Sequence, residues 1–330
     1  MKNEFEKGTL NKITDVAGVT VGHATVDDGN IHSGVTVIVP IEENVFYNKP
    51  TAACYVLNGF GKTAGTIQIE ELGTLESPIA LTNTLSVGAV MDALNKRAVR
   101  ESAKLGKYLR SVNSVVCECN DGNINDICAF GITEQHVEAA FDNACKDFAE
   151  GAVGAGRGMV CHGLKGGIGS ASRKLMLDGK PYTLGILLMS NHGALRDLTI
   201  DGENVGEGIY EGITESDKGS IIVIMATDIP MSSRQIKRVL KRISTALARV
   251  GSRIGHGSGE VFIGFTTANV LKATEKKDIV TFTQISEGKI DIVFRAVSEA
   301  TEDALIKSMT KAESCESRKC KTVHSLSEYI

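Results

Sequence analysis

Ser258 stands in the run Gly255-His256-Gly257-Ser258-Gly259-Glu260, directly ahead of the apolar stretch Val261-Phe262-Ile263-Gly264-Phe265 and then Thr266-Thr267. Glycines on both sides permit backbone geometries that a Cβ resists and let the hydroxyl approach a neighbouring carbonyl closely. A serine so placed can attack the carbonyl that precedes it. Breaking the Gly257–Ser258 bond makes Ser258 a new N-terminus, whose α-amine, with an ordinary pKa of about 7.7–8.0, can act as base for the hydroxyl of the same residue. The six residues also read as a plain glycine-rich turn into a strand, so the rest of the chain has to decide.

Other polar groups sit in glycine-rich or apolar surroundings. Asn83, in Leu81-Thr82-Asn83-Thr84-Leu85-Ser86-Val87-Gly88, either caps a helix or lines a pocket. Lys165, in His162-Gly163-Leu164-Lys165-Gly166-Gly167-Ile168-Gly169, either brings positive charge to a developing oxyanion or occupies an exposed loop. His162 at the head of that run and Asn83 are the candidate substrate-binding residues. Asn191, in Asn191-His192-Gly193, either offers its NH2 to the same oxyanion or makes a turn. Thr301-Glu302-Asp303 read most simply as residues favoured by the dipole near the start of a helix.

Several familiar patterns fail. Gly61-Lys62-Thr63 lacks the earlier glycine of a phosphate loop, since Val56 stands there. The run from Gly151 to Gly158 misses the dinucleotide spacing, with Met159 in place of the third glycine, and His256 breaks the hydrolase elbow at Ser258. The eight cysteines contain no CxxC pair and the seven histidines no HExxH pair, so reduced thiols, no metal and no cofactor are expected.

These residues need elements to hold them. Strand-like runs cover Val19–Val21, Gly34–Pro40, Ala53–Leu57, Tyr182–Met189, Ser220–Ala226 and Val261–Thr266, with two more expected at Ile279–Phe282 and Lys289–Arg295. Helical spacing begins at Ser86, spans Thr133–Phe148, starts again at the Ser232-x-x-Gln235 capping box and runs toward Val250, and covers Ala296–Met309. The order is not a strict βαβ alternation, which favours an α/β (α+β) fold with a sheet-on-sheet core and helices outside. The polar tail 311–330 is expected to be loosely ordered.

The chain has 330 residues, 42% of them hydrophobic, enough for a large core, and a formal net charge of −4 with no dominant basic block. That balance argues against nucleic-acid and anionic-membrane partners. The polar start Met1–Leu10 and the absence of any long apolar run predict a cytoplasmic protein.

The pieces together resemble the self-processing aminopeptidases that include L-aminopeptidase D-amidase/D-esterase and the β-peptidyl aminopeptidases, relatives of the N-terminal-nucleophile hydrolases. The similarity starts at Ile13-Thr14-Asp15-Val16-Ala17-Gly18-Val19-Thr20-Val21-Gly22-His23. It continues through Asn58-Gly59-Phe60-Gly61, the segment around Asn83, and Asn120-Asp121-Gly122-Asn123-Ile124-Asn125-Asp126. It then takes in Val153 to Met159, Lys165 to Gly169, Ser172-Arg173, Ala226-Thr227-Asp228-Ile229-Pro230 and Gly257 to Glu260, about the first 310 residues in consistent order.

The resemblance implies a four-layer α-β-β-α sandwich made as one self-processing unit. Cleavage between Gly257 and Ser258 would give fragments of 257 and 73 residues. It implies Ser258 as nucleophile, Asn191 as the oxyanion amide and Lys165 beside the site. A hydroxyl and an acid from the last helix come next, best matched by Thr301 and Asp303, with Glu302 open because the register does not settle on one residue. Glu260 stands where an aspartate is expected, Leu85 where a histidine is common and Asp303 where a glutamate is common. The expected substrates are short peptides, amides or esters that lose an N-terminal residue, and the expected assembly is a homo-oligomer of processed heterodimers. Two other readings remain at this point, an inactive relative acting as a binding or scaffold protein, and an acyltransferase.

Overall fold

The computed structural model describes residues 4–209 and 219–330. Two sheets stack face to face. The first joins β1 (Thr20–Asp28), β2 (Ile31–Val39), β4 (Ile79–Asn83) and β5 (Val115–Cys119) in the order β1-β2-β4-β5. The second joins β3 (Asn48–Gly59), β6 (Ile168–Leu177), β7 (Lys180–Asn191), β8 (Ser220–Thr227) and β9 (Gly259–Lys272) in the order β3-β9-β8-β7-β6. The β8–β9 pair is parallel, and β8 pairs antiparallel with β7 on its other side.

Alternation along the strands explains the layering. In β8 every residue is buried: Ile222 and Ile224 point into the core between the sheets, while Ile221, Val223 and Met225 point to the outer helices. This is the continuous apolar run expected of a strand covered on both faces. The inter-sheet core brings Val21, Ile38, Leu81 and Cys117 of the first sheet against Leu187, Met189 and Ile263 of the second. Outside the first sheet lie α2 (Val87–Lys104) and α3 (Glu134–Asp142), following the short α1 (Thr66–Leu72). Outside the second lie α4 (Ser233–Leu240), α5 (Ile243–Arg249) and α6 (Asp291–Thr310). The expected four-layer α-β-β-α sandwich is therefore the observed one. Two glycines let helices close on the sheets: a Cβ at Gly22 would lie 2.0 Å from the Ala140 carbonyl oxygen, and one at Gly169 would lie 1.9 Å from that of Ala304.

The differences from the sequence expectations are local. The helix expected over Thr133–Phe148 stops at Asp142, and Cys145 instead bridges to Val21, its N–H donating to the Val21 carbonyl at 3.0 Å. The helix begun at the Ser232/Gln235 box breaks into α4 and α5. Lys289–Arg295 is not a strand: Asp291 already opens α6, with Ile290, Val293 and Val297 buried at helical spacing. Ile279–Phe282 forms no strand either, and Ile279 is 84% exposed. Short apolar runs satisfy both periodicities, and only a partner strand or sheet selects between them. The tail, expected to be loose, folds into a small hairpin pairing Cys315–Glu316 with Thr322–Val323, and Leu326 is fully buried. Among the described residues no helix is long and apolar enough to cross a membrane.

Candidate active site

Ser258 sits at the head of β9, almost wholly buried, where the chain turns in from Gly255. Its N–H donates to the Gly255 carbonyl at 3.0 Å, closing a tight turn over the Gly257–Ser258 bond. The Asn58 amide pins that turn by donating to the carbonyls of Gly255 at 2.9 Å and Ser258 at 2.6 Å. The Ser258 hydroxyl donates to Oε1 of Glu260, which is fully buried. Residues two apart on an extended chain share a side, and a bulge in the β3–β9 ladder between Glu260 and Val261 falls where the side chains must be aimed.

Asn191 ends β7 at the same edge of the sandwich. Ser220 of β8 pairs with Asn191 on one side and with Gly259 on the other, so the backbones of Asn191 and Gly259 are two strand spacings, ~10 Å, apart. The Asn191 amide accepts from the Val160 N–H at 2.9 Å and donates to the Asn120 carbonyl at 3.0 Å. Its NH2 thus faces the end of β5 in the opposite sheet. One residue before β5 ends, the buried Glu118 accepts from the Lys62 N–H at 2.8 Å and from the Thr84 hydroxyl. The edge therefore gathers a hydroxyl, amides from Asn58 and Asn191, and the carboxylates of Glu118 and Glu260.

Lys165 is fully buried, which removes the exposed-loop reading. Its Nζ donates to the carbonyls of Gly166 at 2.7 Å, Met159 at 2.8 Å and Gly156 at 3.3 Å, so its amine organises the glycine-rich loop beside Asn191 and does not touch Ser258. Burial lowers its pKa from 10.5 to about 7. Between those values the unfolded chain holds a proton that folded Lys165 has released, so this residue makes stability rise with pH across that window. Urea unfolding of wild type and Lys165→Met at pH 7 and pH 9 should show the wild-type advantage growing with pH, by up to about 1.4 kcal/mol per pH unit. A difference flat with pH would mean that Lys165 keeps an ordinary pKa.

Of the two substrate-binding candidates, Asn83 takes the capping geometry. Its Oδ1 accepts from the N–H groups of Leu85 and Ser86 at 3.1 and 3.0 Å, and its Nδ2 donates to Ser33. His162 is fully buried at φ 49° beneath the Asn191 turn, its N–H donating to the His192 carbonyl at 2.7 Å and its Nδ1 bonded to the Ala194 carbonyl. Cys161, His162 and His192 bring their donor atoms within 4.8 Å of one another, the one group among the described residues with metal-ligand spacing. Burial pushes the Cys161 thiol up to about 12 and His192 down to about 3. Both are therefore neutral, and the thiol lies 3.8 Å from His192 Nδ1 as a packed polar pair.

The α6 residues are engaged elsewhere. The Thr301 hydroxyl donates to the Val297 carbonyl of its own helix at 2.7 Å. Glu302 pairs with Arg249 at 2.9 Å, and burial raises its pKa to about 7. Asp303 accepts from Arg173 at 3.0 Å and Asn11 at 3.1 Å, and although burial works to raise its pKa, Asn11, Arg173 and Lys7 hold it below the usual range. Glu302 and Asp303 border a cleft with Lys7, Arg173, Asp201 and Arg249, and Ser258 is not in its walls. Placing these residues beside Ser258 does not fit, because α6 packs on β6 and β7, with β8 between them and the strand that Ser258 leads into. Glu118 was missed by sequence reasoning, and its signal was a lone carboxylate inside the apolar run Val115-Val116-Cys117-Glu118-Cys119. Asn58 was only one letter of a motif until the turn it pins was seen.

A family model described as Peptidase family S58 matches residues 11–323. The chain belongs to peptidase family S58. A curated relative, the beta-peptidyl aminopeptidase BapA of Sphingosinicella microcystinivorans, is 35% identical over 93% of this chain and 83% of its own length. Among solved structures, the PH0078 protein of Pyrococcus horikoshii OT3 is 42% identical and superposes with a TM-score of 0.93, covering 98% of this chain and 93% of the other. The L-aminopeptidase D-Ala-esterase/amidase of Ochrobactrum anthropi, described as a prototype for the serine aminopeptidases and a variant of the Ntn hydrolase fold, is 32% identical with a TM-score of 0.93 over 99% of this chain and 93% of its own. The S58 assignment agrees with the family read from the sequence motifs and makes the chain a member of a family of peptide hydrolases.

Proposed function

We propose that this protein is a self-cleaving serine aminopeptidase that removes N-terminal residues from short peptides, amides or esters. The observation that carries the reading is the Ser258 hydroxyl, buried and bonded to a carboxylate at the start of β9, immediately after a pinned glycine turn. Cleavage before Ser258 frees an α-amine that takes the hydroxyl proton as Oγ attacks the substrate carbonyl. The same amine returns the proton to the leaving group, and water then releases the acyl-enzyme. The Asn191 NH2 is the donor for the oxyanion and would exchange the Asn120 carbonyl for it. Glu118, the buried carboxyl group held at the same edge by Lys62 and Thr84, is the group that would meet a substrate ammonium. The named activities of the relatives, β-peptidyl aminopeptidase and L-aminopeptidase D-Ala-esterase/amidase, support hydrolysis next to a free amino group.

The test is a panel of α- and β-aminoacyl p-nitroanilides, each with its N-acetylated counterpart. Release is expected only from compounds with a free amine, and equal release from acetylated compounds would overturn the exopeptidase reading. Asn191→Ala is expected to lower kcat by ~10²–10³ with KM little changed, as loss of one oxyanion donor does. A change confined to KM would make Asn191 a binding or turn residue.

A further inference from the structure

The reaction of the mature enzyme needs the α-amine of Ser258, but the first cut has to happen before that amine exists. In the unbroken chain the Ser258 nitrogen is an amide, donating to the Gly255 carbonyl at 3.0 Å and carrying no basic lone pair. Other candidate bases nearby are occupied or turned away. Lys165 Nζ is turned to the carbonyls of Gly156, Met159 and Gly166 and does not reach Ser258. Glu118 accepts from Lys62 and Thr84. The His256 side chain is exposed. The group that receives the Ser258 hydroxyl is Oε1 of Glu260, buried on the same strand.

We infer that Glu260 is the general base of self-cleavage, a catalytic role that it holds until the α-amine is released. The inference rests on the proposed Ser258 nucleophile. Oγ gives its proton to Glu260 and bonds to the Gly257 carbonyl carbon. The tetrahedral intermediate collapses as the C–N bond breaks, and the proton held by Glu260 passes to the departing Ser258 nitrogen. Gly257 is left esterified to Oγ. One water then hydrolyses the ester, producing the Gly257 carboxylate and restoring the Ser258 hydroxyl beside a free amine. The Asn58 amide, donating to the Gly255 and Ser258 carbonyls, keeps the turn that presents Gly257 to the hydroxyl. The titratable groups on the facing strand β5 are Cys117 and Cys119, whose thiols burial holds protonated, Cys119 also feeling the charge of Glu260, and Glu118 between them.

The experiment is a pulse-labelled precursor made in cell-free translation, with processing followed by intact mass and gel for wild type, Ser258→Ala, Glu260→Gln and Glu260→Asp across pH 4.5–8.5. Glu260→Gln keeps a hydrogen-bonding partner for Oγ but removes the base, so processing should slow by about 10²-fold or more. Wild-type processing is expected to rise with pH on the acid side as the carboxylate ionises, and Glu260→Gln should lose that rise. Glu260→Asp keeps the carboxylate and should stay within about tenfold of wild type. Wild-type processing by Glu260→Gln, with Ser258→Ala uncut, would overturn the role of Glu260 and leave the nucleophile standing. Equal slowing by Gln and Asp would also overturn it, because geometry and not basicity would then be the requirement. Cutting of Ser258→Ala would instead bring down the nucleophile itself. If Glu260→Gln fails to fold by circular dichroism, the Asp variant and the wild-type profile decide, and processing that is independent of pH in both would reject the inference.

Discussion

Ser258→Ala is expected to stay a single chain of 330 residues and to hydrolyse no aminoacyl amide above background. Alanine keeps the backbone turn, since the N–H to the Gly255 carbonyl and the two Asn58 bonds involve main-chain atoms at positions 255 and 258. The side chain loses only the hydroxyl, so the fold should persist while both acyl transfers lose their nucleophile. Losses on the order of 10⁶ in kcat accompany removal of the nucleophile in serine hydrolases that act through a comparable acyl-enzyme. Intact mass under denaturing conditions reads the first effect, with wild type splitting between Gly257 and Ser258, and p-nitroanilide release reads the second. Two fragments from the alanine variant would refute the mechanism. An unbroken wild type that is also inactive would favour the reading of a binding protein on this fold.

Arg173→Met is expected to cost about 3–5 kcal/mol of folding stability. The Arg173 side chain is fully buried and is held by Glu299 and Asp303 of α6, while its Nη1 donates to the Ser172 carbonyl at 2.8 Å. Asn11 shares Asp303, and the Glu4 N–H donates to Glu299 at 2.9 Å, so one guanidinium ties β6, α6 and the N-terminal arm together. Methionine fills the volume but strands two carboxylates that are largely out of water. Leaving a buried partner uncompensated costs more than the pair contributes when intact. Urea unfolding measures the loss, and a change below about 1 kcal/mol would show that the carboxylates relax into solvent. Because Arg173 touches no group at Ser258, turnover of the folded variant should remain within about twofold of wild type.

Much of this was legible in the residues. The unbroken apolar run of β8 announced a strand covered on both faces, the Ser232/Gln235 box announced the start of α4, and Gly257-Ser258-Gly259 announced a glycine turn into β9. Each is a local matter: period, cap and glycine freedom are written in neighbouring residues. The family resemblance rested on the same short motifs, and the S58 match bears it out.

What sequence could not decide depended on which surface each segment meets. Lys289–Arg295 has an apolar pattern compatible with either period, and the outer face of the second sheet made it the first turns of α6. Lys165 could have been a surface cation, and closure of the glycine-rich loop around its Nζ made it a buried donor to three carbonyls. Asp303 could have faced Ser258, and the packing of α6 on β6 gave it to Arg173. Glu118 and Glu260, 142 positions apart in the numbering, share one edge of the sandwich because β5 ends and β9 begins there on opposite sheets. The chain alone determined that a serine between two glycines precedes a buried strand. The stacking of two sheets decided which acids, amides and cations that serine would meet, since contacts between residues distant in sequence are set by packing and not by spacing.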